Sequence, residues 1–267
     1  MSHFARLDSA GFPDFTPGTV WLVGAGPGAA GLITLLGYHA LGEADVIVHD
    51  ALVAKTLLGF ARPDAEIIFA GKRGGKPSPR QADISLQLIA AARAGKRVLR
   101  LKGGDPFMFG RGGEEAGALF RAGIRFRIVP GISSGAGGLA YAGIPVTHRD
   151  ANHAVLFLTG HDETGDVTTL DWGAIAKAAP VIVMFMAVKH LPTIAARLVA
   201  NGRDPFDRLA IVSNISLPTQ DVLETTLGAA AELTGVPTPA IIVIGPASAW
   251  RDALDWYADD LKDNPFG

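Results

Sequence analysis

The chain has 267 residues, of which 48% are hydrophobic and 19% charged, enough apolar sequence to bury one large core or two moderate ones. Its 24 basic and 26 acidic residues leave no basic excess of the kind that nucleic-acid binding requires, so an anionic ligand has to be met by local clusters. The absence of cysteine excludes disulfides, thiolate metal sites and cysteine nucleophiles, and fits a reducing, cytoplasmic setting.

In chain order, Met1 to Gly18 mixes His3, Arg6, Asp8 and Asp14 with prolines and lacks the apolar centre of a signal peptide, so residues 1–18 are expected to form a loose leader. Short apolar runs follow at Val20–Val23, Val46–His49, Glu66–Phe69, Val98–Leu101 and Arg127–Val129, each succeeded by a helical pattern. Continuous apolar strands alternating with helices imply a parallel sheet covered on both faces. A small-residue stretch, Ser133 to Gly143, leads into a second series at Ala154–Leu158, Val181–Phe185, Leu209–Ser213 and Ile241–Ile244. The fold class is therefore α/β with two α/β domains, 19–135 and 136–267. The apolar run Val181–Val188 is far below the roughly 20 residues of a membrane span, and no membrane partner is expected. From Trp250 onward, Leu254, Trp256, Tyr257 and Leu261 have roughly helical spacing and predict a terminal helix.

The first strand runs into Gly24-Ala25-Gly26-Pro27-Gly28-Ala29-Ala30-Gly31. Gly26, Gly28 and Gly31 satisfy G-x-G-x-x-G, and Asp50 closes the next strand, as a dinucleotide fingerprint requires. Pro27 speaks against it, because it removes a backbone N–H that a pyrophosphate would use. An NAD-dependent oxidoreductase using Gly26, Gly28, Gly31 and Asp50, and a purely structural tight turn, both remain open on this motif alone. Gly71-Lys72-Arg73-Gly74-Gly75-Lys76-Pro77 lacks the spacing of a P-loop.

Three further segments point elsewhere: Gly71 to Ser78, Arg100-Leu101-Lys102-Gly103-Gly104-Asp105-Pro106-Phe107-Met108-Phe109-Gly110-Arg111 and Val129-Pro130-Gly131-Ile132-Ser133-Ser134. With Gly143-Ile144-Pro145-Val146-Thr147-His148-Arg149, they resemble the uroporphyrinogen-III C-methyltransferases of the tetrapyrrole methylase superfamily, from about Thr19 to about Tyr257. The resemblance implies the two-domain class III methyltransferase fold, with the active site in the trough between the domains, and a homodimer. It implies S-adenosylmethionine as cofactor, S-adenosylhomocysteine as its product, and methylation of uroporphyrinogen III at two ring carbons to precorrin-2, for cobalamin or sirohaem. Methylation of a later precorrin by the same fold is the nearest alternative, and a non-catalytic tetrapyrrole carrier a more distant one. Sirohaem synthases carry a further dehydrogenase and ferrochelatase module, for which this chain has no room, so a single activity is expected.

Residue by residue, the resemblance places the cofactor on Pro27, Gly103, Gly104, Asp105, Met108, Ser133, Ser134, Met186, Ile215 and Ala240. It makes Asp50 the proton acceptor and Lys72 the proton donor. The residues read the same way physically. Gly103-Gly104-Asp105 follows a strand end where bare backbone and a carboxylate can meet an ammonium, although Asp opening a type I turn explains those residues locally. Ser133 and Ser134 read as helix caps whose neighbouring N–H groups can bind a carboxylate. Asp50 could equally cap a helix. Lys76, Arg111 and Arg149 are candidates for the substrate's carboxylates. Two departures stand out: Ala29 replaces an aspartate common after Gly-Pro-Gly, and Ala51 replaces the arginine of Tyr-Asp-Arg. The histidines lack metal-ligand spacing, so no metal is expected.

Overall fold

A computed structural model of the chain describes residues 11–71, 81–162 and 164–257. The chain divides into two compact units, with the division between Ile132 and Ser133.

The first unit holds one five-stranded sheet of order β3-β2-β4-β1-β5, built from β1 (Val20–Gly24), β2 (Val46–His49), β3 (Glu66–Phe69), β4 (Val98–Lys102) and β5 (Phe126–Val129). Every pairing is parallel, as the continuous apolar runs predict. Successive residues of β1 face opposite ways: Trp21 and Val23 join Leu41, Ile47, Leu57 and Leu99 on one side, while Val20 and Leu22 join Ile84, Leu88, Val98 and Leu119 on the other. Two packed faces explain why no residue of β1 can be polar, each large buried side chain contributing about 1.5–3 kcal/mol. The covering helices are α1 (Leu35–Glu43), α2 (Lys55–Leu58), α3 (Gln81–Arg93) and α4 (Gly112–Arg121).

Part of the expected leader packs rather than hanging free. Phe15 is buried and stacks on Trp21 at 4.4 Å between ring centroids, and Phe12 stacks on His39 at 5.0 Å. Aromatic area removed from water outweighs the entropy of ordering this short, proline-bearing stretch. Residues 1–10 of the leader lie outside the described residues.

The second unit has a sheet of order β6-β7-β10-β8-β9, formed by β6 (Val155–Thr159), β7 (Val181–Phe185), β8 (Arg208–Ser213), β9 (Asp221–Thr226) and β10 (Ala240–Ile244). It is mixed: β6 and β7 are parallel, β10 runs antiparallel to both neighbours, and β8 pairs antiparallel with β9. The sequence predicted neither the reversal nor β9. An edge strand reading Asp-Val-Leu-Glu-Thr-Thr exposes Asp221 and Glu224 and shows no continuous apolar run. Helices α5 (Trp172–Ala178) and α6 (Leu191–Ala200) cover one face with a core that includes Ile182, Met184, Ile194, Leu198 and Ile242.

Among the described residues the terminal helix is shorter than its periodicity predicts, since α7 spans only Arg251–Leu254, and Leu261 lies outside the described residues. Trp250 ends a 3₁₀ turn and stacks on His148, while the Trp256 indole donates to the Ala140 carbonyl at 2.7 Å. Those tertiary contacts, rather than helical continuation, take up the aromatic residues. Among the described residues, no helix is long and apolar enough to cross a membrane.

Candidate active site

In a parallel sheet all strands end at the same edge, so the loops that follow them gather there. The first unit brings Pro27, Asp50, Gly103, Gly104, Asp105 and Met108 to that carboxyl edge. The turn after β1 and the turn after β4 are tied to each other: Gly104 N donates to Gly26 O at 2.8 Å and Gly26 N to Gly104 O at 3.2 Å. Gly24, Gly104 and Gly131 also meet main chain to main chain. A Cβ on Gly24 would stand 2.5 Å from Gly131 Cα, and a Cβ on Gly131 would collide with Gly104 O. Glycine is required at Gly24 and Gly131 by this close approach.

These contacts count against a dinucleotide site. The Gly26 amide is occupied by Gly104, the turn continues into a 3₁₀ turn at Ala30–Leu32, and α1 begins only at Leu35 with Thr34 as its cap. No α-helix N-terminus follows the glycines directly to receive a pyrophosphate.

Asp50 does not cap a helix; the N-cap of α2 is Ala54. Its carboxylate instead accepts from Leu52 N at 3.0 Å and from Gly103 N at 3.1 Å, joining the end of β2 to the loop after β4. Asp105 is held likewise. It accepts from Phe107 N at 2.8 Å and Gly131 N at 2.9 Å, and its carbonyl accepts from Met108 N at 3.4 Å, so the turn-forming role expected of an Asp at this position is present. Each carboxylate oxygen of both residues retains a further lone pair for a ligand. Downstream, Phe109 and Arg111 take left-handed φ of 53° and 59°, and Arg111 forms a two-pronged ion pair with Glu114 at 2.8 and 2.7 Å. Left-handed non-glycine residues cost energy and concentrate where a loop is shaped for function. Lys72 and Lys76 lie outside the described residues.

Behind this edge lies a charged group that sequence reading missed. Arg100 and Lys102, both 3% exposed, share the carboxylate of fully buried Glu115 on α4, at 3.0 and 3.1 Å, and Gln81 donates to the same carboxylate at 2.7 Å. Burial pushes the Lys102 ammonium below its ordinary pKa and neighbouring Arg100 adds to the effect, partly countered by Glu115. Arginine and lysine two apart in an otherwise apolar strand were the available signal, since that spacing puts both on one face.

The second unit assembles its candidates at one edge of its own sheet. Met186 follows β7, Ile215 follows β8, and Ala240 opens the reversed strand β10, which brings its start beside Ser213 at the end of β8. Left-handed residues recur here: Met186 at φ 52°, Asn214 at 50° and Ser216 at 62°. Ile215 buries its side chain in the core, and among the described residues no hydrogen bond reaches its amide or carbonyl. A buried main chain left unbonded needs a partner.

Ser133 and Ser134 do not cap an α-helix. The segment turns and then forms a 3₁₀ helix over Gly138–Ala142, with Ser133 O accepting from Ala136 N and Gly138 N. Gly135, Gly137 and Gly138 supply little helix propensity, which accounts for the missing α-helix. A Cβ on Gly135 would collide with the ring of Phe185, so the turn lies against the end of β7. The Ser133 hydroxyl is buried without a partner among the described residues. It fits a cofactor with polar groups to offer, as does the unbonded Ile215 main chain. Arg149 is exposed, in the turn enclosed by the His148–Asn152 bridge. Among the described residues, no group of acidic or histidine side chains is arranged to hold a metal.

The family description Tetrapyrrole (Corrin/Porphyrin) Methylases matches residues 19–231. A uroporphyrinogen-III C-methyltransferase from Sinorhizobium sp is 60% identical over 251 residues, covering 92% of this chain and 90% of that protein. The siroheme synthase of Tolumonas auensis is 45% identical over 92% of this chain, which spans 53% of that longer protein. Among solved structures, the uroporphyrin-III C-methyl transferase of Thermus thermophilus complexed with S-adenyl homocysteine has a TM-score of 0.77 at 38% identity, over 86% of this chain and 99% of that one. A family match over residues 19–231, and a likeness that runs through both units, lead to one conclusion: this chain belongs to the tetrapyrrole methylases.

Proposed function

We propose that the chain transfers methyl groups from S-adenosylmethionine to two ring carbons of uroporphyrinogen III, giving precorrin-2 for cobalamin or sirohaem. The observation that carries this reading is Asp50, a carboxylate fixed by the amides of Leu52 and Gly103 at the very edge where the glycine loop is assembled. A pyrrole carbon that has gained a methyl group must shed a proton, and a fixed carboxylate with free lone pairs is suited to take it. Lys72 returns a proton to the macrocycle in this reading.

The cofactor, when bound, supplies an activated methyl group and leaves as S-adenosylhomocysteine. In the first unit Pro27, Gly103, Gly104, Asp105 and Met108 contact it; in the second, Ser133, Ser134, Met186, Ile215 and Ala240 do. The chain's own contribution is chiefly orientation, because a sulfonium already carries a good leaving group. Arg111 and Arg149, with Lys76, bind substrate carboxylates. Glu114 competes for Arg111, so that arginine meets substrate by exchanging or sharing its ion pair. In this reading the protein works as a homodimer in the cytoplasm.

The test is mass spectrometry of the product formed from uroporphyrinogen III and S-adenosylmethionine. Addition of two methyl groups is expected. No methylation of uroporphyrinogen III, with turnover of a later precorrin, overturns the substrate assignment. Light scattering at twice the chain mass checks the dimer.

A further inference from the structure

After β8 the chain makes a tight turn, Asn214-Ile215-Ser216-Leu217, in which two non-glycine residues are left-handed. Left-handed backbone is unfavourable for residues that carry a Cβ, so the turn keeps its shape only if other contacts over-determine it. Asn214 N donates to Pro239 O at 3.0 Å, Leu217 N to Asn214 O at 3.0 Å, and the Asn214 side chain to Thr219 O at 3.4 Å. Two side chains restrain it further: the Tyr257 hydroxyl, which donates to Ser216 O at 3.5 Å, and Gln220, which is 6% exposed. Its carboxamide oxygen accepts from Ser216 N at 2.9 Å, and its nitrogen donates to Tyr141 O at 2.9 Å. One buried side chain thus ties the turn to the 3₁₀ segment that follows Ser133 and Ser134, with both ends of its amide satisfied.

Between the two left-handed residues sits Ile215. Its side chain anchors in the core while its amide and carbonyl are unbonded among the described residues. We propose that Gln220 is a positioning residue for the cofactor: by holding Ser216 it keeps the strained turn in place, so that the Ile215 main chain is presented ready-made. The inference rests on the reading that Ile215 contacts S-adenosylmethionine. Gln220 itself touches no ligand; its effect is to spare binding the cost of ordering the turn.

Calorimetry with S-adenosylhomocysteine on the full chain tests this, using Gln220→Met, the double variant Gln220→Met/Ser216→Gly, and Ser248→Ala. Ser248 also makes a buried hydrogen bond in this unit, to Gly245 O at 3.1 Å, but not to the turn. Gln220→Met is expected to weaken binding roughly tenfold. Adding Ser216→Gly, which makes left-handed backbone cheap, is expected to recover part of that loss. Ser248→Ala is expected to lower the melting temperature without changing affinity. Wild-type affinity in folded Gln220→Met, or an equal loss in Ser248→Ala, overturns the proposal. Hydrogen exchange on the wild-type protein decides the matter even if the variant does not fold. Protection across 214–217 without ligand supports a preformed turn, and protection that appears only with S-adenosylhomocysteine overturns it. Failure of the wild-type protein to bind S-adenosylhomocysteine overturns the cofactor reading and this inference together, whereas normal wild-type binding with an unaffected Gln220→Met removes the inference alone.

Discussion

The two sheets build their candidate edges by different means. In the first, all five strands run parallel, and their carboxyl ends deliver charged and polar groups: Asp50 and Asp105, each gripped by two backbone amides, with Arg100, Lys102 and Glu115 buried behind. In the second, one reversed strand brings Ala240 beside Ser213, and the edge offers strained main chain at Met186, Asn214 and Ser216 rather than charge. Fixed carboxylates suit proton handling, while bare main chain and a buried hydroxyl suit recognition of a ligand's shape and polar rim. The division teaches that a doubled α/β architecture need not duplicate its chemistry.

The sharpest way to break that contrast is Asp50→Asn. Asparagine keeps one oxygen for Leu52 N or Gly103 N but turns an amide donor toward the other, at a cost of ~1–2 kcal/mol of stability. If Asp50 handles the proton, turnover falls by ~10² to 10⁴-fold in single-turnover methylation, well beyond that structural cost. A variant that methylates normally but melts earlier makes Asp50 only a fastener for the Gly103 loop.

Next in size is Gly131→Ala, which adds a methyl group where three main chains meet. Overpacking of this kind costs ~1–3 kcal/mol, and denaturant unfolding is expected to show a loss in that range together with weaker binding of S-adenosylhomocysteine. Unchanged stability would mean that the first edge is softer than its contacts indicate.

Asp105→Ala removes the acceptor for Phe107 N and Gly131 N as well as the proposed partner of the cofactor's ammonium. Affinity for S-adenosylhomocysteine is expected to fall about tenfold, by calorimetry, with a smaller change in the KM for tetrapyrrole. Equal loss of both would show that the loop serves the two ligands alike.

The smallest effect concerns the opposite end of the first sheet. Asp45 accepts from Arg97 N at 2.8 Å and from the Arg97 and Arg62 guanidinium groups, and Arg97 in particular holds its carboxyl down to about 2 from an ordinary 3.8. A depressed carboxylate contributes stability that is full above its unfolded value and is lost as pH falls through about 2. The pair is partly exposed, so Asp45→Asn is expected to cost only ~1 kcal/mol at neutral pH. The gap between variant and wild type should close between pH 4 and 2 in denaturant titrations. A gap that persists at pH 2 would show that geometry, not charge, is what Asp45 supplies.

Reading the sequence captured the first unit well because buried parallel strands are continuous apolar runs. Val46–His49 and Glu66–Phe69 appear with the expected limits. The second unit was less legible. Its edge strand Asp221–Thr226 shows no apolar run, and the direction of Ala240–Ile244 is not encoded in its own residues, which would suit either orientation. Gly103, Gly104 and Asp105 stood out as a motif, but one partner of each carboxylate, Gly103 for Asp50 and Gly131 for Asp105, is 53 and 26 residues away along the chain and left no local signal. Ser133 misled because serine before small residues resembles a cap, whereas the glycines after it favour a tight turn.

By itself, the sequence determined the α/β class, the apolar strands, the glycine turns that admit close backbone approach, and the motif resemblance that named the family. These follow from local periodicity and from residues whose conformational range is intrinsic. Only tertiary structure decided what the side chains do: that Asp50 binds the Gly103 amide instead of capping a helix, that two basic residues of β4 share one buried carboxylate, and that Gln220 secures a strained turn through Tyr141. Each of those joins residues far apart in the chain, and a hydrogen bond between distant partners depends on where folding sets them down, not on what either residue is.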